Sequence, residues 1–243
     1  MNVPCSSGSL WQWGKPYLFL LLPLVVIMFS SCSQETIFQS NFDSTPLNNP
    51  PAQSQQVGTI NIDGPAGAAK VVASPINESG RWVQVTRQNG QQSVSGIQCN
   101  FSKSIGDGKY TFSSLLYIPA GSGLVTIQFE TFGQPVSTYT NFLHIDFTQD
   151  NKVRIDDNDD TKFGSFQRNQ AFMVQVTLDI NATEPKVHIA LGGQGASGEA
   201  DYSIQSPLRM FAHQFGAVRL WMGFPWTGNF DANTIVVTHQ LSN

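Results

Sequence analysis

Ala217-Val-Arg-Leu-Trp-Met-Gly-Phe-Pro-Trp-Thr-Gly-Asn-Phe-Asp-Ala-Asn-Thr-Ile-Val-Val-Thr238 is the stretch whose reading decides the fold. Val218, Leu220, Met222 and Phe224 alternate with Arg219, Trp221 and Gly223, the period of two that marks a half-buried strand. Pro225, Gly228 and Asn229 supply turn chemistry, because they fix or permit backbone angles that strands avoid. A second apolar run, Ile235 to Val237, follows. Two strands around a turn close the chain, as in a β-sandwich.

The chain upstream has the same texture. Trp82–Arg87 and Val94–Phe101 alternate. Tyr110–Ile118 leads through Pro119–Gly123 into Leu124–Phe132. Phe142–Thr148 and Lys152–Asp156 flank Gln149-Asp-Asn151, and Phe172–Ile180 and Lys186–Leu191 flank Asn181–Pro185; both pairs read as hairpins. No window of helix length sustains a 3.6-residue apolar period. The 21 Gly and 13 Pro fall largely in the gaps. Strands at this spacing predict an all-β, two-sheet antiparallel sandwich or a barrel.

The start of the chain reads differently. Met1–Lys15 is polar with one cationic side chain, and Tyr17–Phe29 is wholly apolar with Pro23 in its middle. A bilayer core ~30 Å thick needs about 20 apolar residues in a helix, so this run is short for a span. Its order matches a secretory signal peptide. Phe29-Ser-Ser-Cys32 then resembles the lipobox of bacterial lipoproteins, although Phe29 stands where Leu is usual. That resemblance implies cleavage after residue 31, lipid on Cys32, a bacterial envelope address and contact with the bilayer through the anchor. Ser33 follows the cysteine, with no Asp there to hint at inner-membrane retention, which favours the outer membrane. The expected organisation is a signal at 1–31, a lipidated tether at 32–36 and one domain over 37–243.

Removing the leader takes away Cys5 and commits Cys32, leaving Cys99 as the one free thiol. It shares a face with Ile97 and Phe101 and is expected as a small buried hydrophobe. Without Lys15 the remaining chain has 12 Lys and Arg against 17 Asp and Glu, net −5. A sparse acidic charge argues against nucleic acid as a partner.

Asn41-Phe-Asp-Ser44 before a Pro-rich loop, the ending Asn229–Thr238 and the Phe172–Leu191 hairpin resemble concanavalin A-like (laminin G/glucanase-like) jelly rolls. The resemblance spans Ile37 to His239 and implies two stacked antiparallel sheets with adjacent terminal strands. Such folds serve lectins, carbohydrate-binding modules, glycoside hydrolases, polysaccharide lyases and adhesion domains, so the fold alone selects none of them. They often hold a structural calcium near the joined termini. That makes Asp43 and Asp231 the candidate metal ligands, with no other cofactor required.

Alternation also assigns faces. With Val125, Ile127, Phe129, Leu143, Ile145, Phe147, Val218, Leu220 and Met222 inward, the opposite side carries Gln128, Glu130, His144, Asp146, Arg219 and Trp221. On another strand the same argument turns His188 outward. Gln128, Glu130, His144, Asp146, His188, Arg219 and Trp221 are therefore the candidate ligand-binding set. An aromatic stacks on the apolar face of a sugar ring while polar groups bond its hydroxyls, so the expected partner is a glycan. An ordinary solvated sheet face is the competing expectation.

Catalysis is not expected. Jelly-roll glucanases place Glu, Asp and Glu at alternate positions of one strand, whereas this chain has His144-Ile-Asp146-Phe-Thr148. The Gln-x-His and Tyr-x-Lys patterns of the lyases are missing too. Asp156-Asp157-Asn158-Asp159-Asp160 begins like an EF-hand loop, but its sixth position is Thr161 and its twelfth Gln167, so it reads as a solvated turn. Gly193-Gln-Gly195-Ala-Ser-Gly198 fits GxGxxG but precedes no helical pattern and reads as a flexible loop. Three functions stay open at this point: non-catalytic glycan binding, a protein-interaction or structural domain, and a hydrolase or lyase.

Overall fold

The computed structural model describes residues 34–103, 106–131, 141–180, 183–205 and 208–240. The leader and Cys32 lie outside them. The first strand, β1 (Gln34–Ser40), begins inside the stretch expected as tether.

Among the described residues, two antiparallel sheets account for nearly all regular structure. The larger has nine strands and runs β11 (Ser165–Phe166), β14 (Ala196–Ser203), β13 (Lys186–Gly192), β12 (Ala171–Asp179), β6 (Lys109–Tyr117), β16 (Gly228–Gln240), β4 (Arg81–Arg87) and β3 (Ala69–Ala73), with β1 also on β16. The seven-stranded sheet runs β10 (Asn158–Phe163), β9 (Val153–Ile155), β8 (Asn141–Phe147), β7 (Val125–Thr131), β15 (Phe215–Met222), β5 (Ser95–Asn100) and β2 (Thr59–Asp63). A short helix, α1 (Arg209–Ala212), precedes β15. Among the described residues, no helix is long and apolar enough to cross a membrane.

The decisive C-terminal stretch spans both sheets. β15 pairs with β5 and β7, while β16 pairs with β1, β4 and β6, so the turn at 223–227 carries the chain from one sheet to the other. β16 is long because its first half pairs with β4 and its second half with β1. The N-terminal and C-terminal strands are thereby hydrogen-bonded to each other.

The residues assigned inward by alternation form the core. Val125, Ile127, Phe129, Leu143, Ile145, Val218, Leu220 and Met222 are fully buried, and so are Val174, Val176 and Ile189 from the opposite sheet. Rings interlock across the sandwich: Phe112 of β6 meets Phe129 of β7 edge-on at 5.7 Å, and Phe147 of β8 lies 5.6 Å from Phe172 of β12. Ring pairs at these distances add to the stabilisation from area burial. Cys99 is buried among them, and burial pushes its thiol well up, as for an inert apolar filler.

Two arginines tie the loops at one end. Arg87 is buried and donates to three backbone carbonyls, those of Ser93 (3.0 Å), Gln91 and Trp226. Arg168 donates to the carbonyls of Pro119 (3.2 Å), Ser122 (2.9 Å) and Thr148 (3.2 Å) and to Asn151 Oδ1 (3.0 Å). Together they fasten the β4–β5, β6–β7, β8–β9 and β15–β16 connections.

Two motifs read from the sequence as loops are built into strands. The GxGxxG run closes the β13–β14 turn, and its last glycine begins a close crossing. A Cβ on Gly198 (φ +131°) would lie 2.3 Å from Gly164 Cα. The segment that follows is strand β14, which hides no residue fully and so shows no apolar alternation. The acidic run turns tightly at Asp156 and Asp157, both at positive φ, and continues as edge strand β10.

Candidate functional site

The outward face of the seven-stranded sheet collects polar residues in rows set by strand register. One row reads Asn61, Gln98, Arg219, Gln128 and His144 across β2, β5, β15, β7 and β8. The next reads Asp63, Gly96, Trp221, Thr126, Asp146 and Arg154, ending on β9. Glu130 stands beyond the first row on β7. Six of the seven candidate ligand residues thus share one face: Gln128, Glu130, His144, Asp146, Arg219 and Trp221.

His188 is apart from them. It lies on β13 in the other sheet, is exposed, and contacts Asp201 Oδ1 through Nδ1 at 2.8 Å. With Lys109, Thr177, Asp179 and Lys186 it borders a shallow open depression of about 530 Å³.

The shared face is not the ordinary solvated sheet face of the competing expectation. Gln98, Gln128, Glu130, Asp146 and Arg219 are each at most 5% exposed. Charge this deep requires partners. Glu130 accepts from Gln98 Nε2 at 2.6 Å and Gln128 Nε2 at 2.7 Å, and faces Arg219 Nη2 at 3.3 Å. Arg219 Nε faces Asp63 Oδ2 at 3.1 Å. These two arginine contacts are ionic and poorly aligned: Nε, Nη2 and Asp63 Oδ2 make no linear hydrogen bond. Burial raises the Glu130 carboxyl above its ordinary range, against the pull of Arg219 and the two amides. Asp63 is raised for the same reason, again opposed by Arg219.

A second network is organised by Arg154. Its Nε donates to Asp146 Oδ2 (2.9 Å), Nη2 to Asp157 Oδ1 (2.9 Å) and Nη1 to Asp159 Oδ1 (3.1 Å). Thr126 Oγ1 completes Asp146 at 2.6 Å. Desolvation raises Asp146, with Thr126 and Arg154 opposing it. Asp157 is held low, at about 2, by His144 and Arg154. His144 Nδ1 lies 3.7 Å from Asp157 Oδ2, longer than a hydrogen bond. The acidic run at 156–160 therefore encloses a guanidinium that fixes Asp146.

Trp221 lies between the two networks, half-buried, on the side of the sheet opposite Leu220 and Met222. Two glycines make room for it. A Cβ on Gly96 would meet Trp221 Cβ at 2.7 Å, and one on Gly223 would meet its Cζ3 at 2.3 Å. Trp221 Nε1 and His144 Nε2 are both shielded from water without a hydrogen-bond partner.

Glu130 and Asp146 are bound into separate networks, one around Arg219 and the other around Arg154. They sit on adjacent strands, but Glu130 pairs with Asn141 and Asp146 with Thr126. Four residues of offset along the strands put their backbones roughly 14 Å apart. Glycosidases hold their two carboxyls about 5–9.5 Å apart.

The two candidate calcium ligands are placed differently from each other. Asp43 is exposed, and its Oδ1 accepts the Arg81 backbone N–H at 3.2 Å. Asp231 is buried, and burial pushes its carboxyl up to about 6, against Gln84 and Lys70. Among the described residues, no three acidic, His or Cys side chains converge as a cation would require.

Asp63, Gln98, Thr126 and Arg154 were not among the candidates. Gln98 and Arg154 were legible, since each alternates with buried apolar neighbours. Asp63 ends a short edge strand in which Ile62 is partly exposed, so alternation there is weak.

No protein-family model matches the chain, and no curated protein is similar to it. Solved structures are similar in fold. An endo-1,3-β-glucanase from Streptomyces sioyaensis aligns over 86% of this chain and 97% of its own at a TM-score of 0.53 and 11% identity. Lectin II from Ulex europaeus aligns over 78% of this chain and 95% of its own at a TM-score of 0.50 and 12% identity. The architecture is a concanavalin A-like jelly-roll sandwich. At these identities the likeness defines the fold and nothing finer.

Proposed function

We propose that this chain is a bacterial envelope lipoprotein whose sandwich binds a glycan without cleaving it. The observation that carries the reading is Trp221, half-buried and held by Gly96 and Gly223 above a sheet face of paired polar groups. An aromatic surface bordered by oriented donors and acceptors is how proteins hold a sugar ring. The fold neighbours include a lectin and a glucanase, which is consistent with this reading. The wide offset between Glu130 and Asp146 favours binding over hydrolysis.

A glycan-array screen of residues 33–243, with Trp221→Ala alongside, tests the reading. Binding that disappears in the variant supports it. A folded domain that binds no glycan overturns it and favours a protein partner, for which exposed Phe224 would be the first residue to probe. The anchor has its own test: Cys32→Ser should move the full-length protein from the membrane fraction to the soluble fraction.

A further inference from the structure

Resting on the lipid-anchor part of that reading, we infer that the domain stands on the bilayer by one end, with Met210 at the headgroups and the β15–β16 turn on the far side. Length decides which end. β1 starts at Gln34, two residues after Cys32. Two extended residues reach about 7 Å at most. Gln34 pairs with Gln240, the last residue of β16, and Gln240 pairs in turn with Lys109, the first of β6. Gly228, at the other end of β16, pairs with Arg87 at the close of β4. The 13 residues of β16 separate the two ends. At the usual rise that is roughly 40 Å. Exposed Phe224, just before Gly228, is therefore beyond the reach of the tether.

The surface at the tethered end suits a membrane. Ser102 N–H donates to the Ile37 carbonyl (3.0 Å), Ile180 N–H to the Gly108 carbonyl (2.9 Å) and Ile204 N–H to the Pro185 carbonyl (3.0 Å), which joins neighbouring strand ends into one surface. Lys103, Lys109, Lys186 and Arg209 lie on it, and α1 presents Met210, 60% exposed. An apolar side chain among cations fits the boundary between headgroups and acyl chains. The four acids of this end have cationic or imidazole partners: Glu35 faces Lys103 (2.8 Å), Asp179 faces Lys109 (3.4 Å), Glu184 faces Arg209 (3.2 Å) and Asp107 faces His213. Four cations against four acids leave 8 Lys and Arg against 13 Asp and Glu for the rest of the domain. The excess of negative charge thus lies away from the tether. The sheet faces carry exposed carboxylates, Asp157 and Asp159 beside Arg154 on one and Glu199 and Asp201 beside His188 on the other. An anionic leaflet repels those faces and accepts the neutral end, so the domain stands up instead of lying on either sheet.

The lipidated mature protein in vesicles of phosphatidylethanolamine and phosphatidylglycerol tests this. Met210→Cys and Phe224→Cys, both at exposed positions, each take a fluorophore, since Cys99 is buried and Cys32 is acylated. A headgroup-bound quencher should quench the dye at position 210 about fivefold more than at position 224, given the roughly 40 Å between the ends. A linker of about 20 Gly and Ser residues between Ser33 and Gln34 spans roughly 25 Å and should bring that ratio close to unity. Equal quenching at the two positions without the linker, or stronger quenching at 224, overturns the inference and leaves the anchor standing. A ratio that the linker does not change overturns the short tether as its cause. Protein that stays off the vesicles whether or not it carries Cys32→Ser overturns the anchor itself.

Discussion

Arg219 Nη2 and Glu130 Oε1 face each other at 3.3 Å on neighbouring strands, with both residues at most 3% exposed. A pair this deep gains little over an apolar pair of equal size, because desolvation offsets most of the attraction. Breaking it is another matter. Arg219→Met strands Glu130 and Asp63, and is expected to cost about 3–5 kcal/mol in denaturant unfolding. Arg219→Met combined with Glu130→Gln should cost clearly less than the two single changes added together, since the buried carboxylate is gone. Strict additivity would mean that the two groups act independently.

Asp231 should make stability depend on pH. Its folded-state pKa is raised from 3.8 to about 6 by burial, so the folded chain holds that proton more tightly than the unfolded chain. The sign follows: stability is full below about pH 4, falls as pH rises through about 6, and stays reduced above. The shift amounts to about 2–3 kcal/mol at neutral pH. Asp231→Asn removes the ionisation, so the variant should melt higher than the parent at pH 7.5 and match it near pH 4. Equal melting differences at the two pH values would show that Asp231 is not the group responsible.

His239 carries the opposite dependence. It is buried against Tyr110, ring centroids 4.7 Å apart, with neither ring nitrogen hydrogen-bonded, and burial lowers its pKa below 6.5. A depressed histidine withholds none of its stabilisation above pH 6.5, and this is lost as pH falls through the folded value. His239→Phe is therefore expected to flatten the loss of stability between about pH 6.5 and pH 5 in thermal melts. The expected effect is a smaller pH slope, whatever the variant's absolute melting temperature.

Alternation made the core and the side of each strand legible. Val125, Ile127, Phe129, Val218, Leu220 and Met222 are inside because each occupies every second position of a strand with one dry face. The same rule put six candidate residues on one face, since Gln128, Glu130, His144, Asp146, Arg219 and Trp221 all alternate with those core residues. Alternation could not give the depth of the polar face, because a period of two distinguishes two sides without saying whether the second is wet. Nor does it say which sheet a strand joins. His188 alternates as cleanly as His144, yet β13 lies in the other sheet. β14 escaped because both its faces are partly exposed at the sheet edge, leaving no apolar period to read.

The Arg87 clamp predicts a local rather than global weakness. Its guanidinium reaches the carbonyls of Gln91, Ser93 and Trp226 at once, a fork that a lysine ammonium cannot reproduce. Arg87→Lys is expected to lose about 1–3 kcal/mol through carbonyls left without a donor. Hydrogen exchange should rise in the 88–94 and 223–227 loops while β7 and β12 stay protected. Uniform deprotection across both sheets would place Arg87 in the global folding core instead.

Gly96 links the backbone to the proposed ligand. It lies opposite Trp221 in the β5–β15 register, and an added Cβ would sit 2.7 Å from Trp221 Cβ and 2.8 Å from the Leu220 carbonyl oxygen. Both obstacles are anchored to the main chain, so Gly96→Ala must shift the strand or the indole. The expected cost is about 1–3 kcal/mol of stability, as for other overpacked sites. Glycan affinity should fall with it if the indole is the surface on which the sugar rests. Gly192→Ala is the control, since a Cβ there meets nothing within 4 Å and no positive φ is required. Tryptophan fluorescence and glycan titration on the two variants separate the outcomes. Loss of affinity in Gly96→Ala alone ties binding to the position of Trp221. Full affinity in a Gly96→Ala variant with altered fluorescence would detach the indole from the ligand.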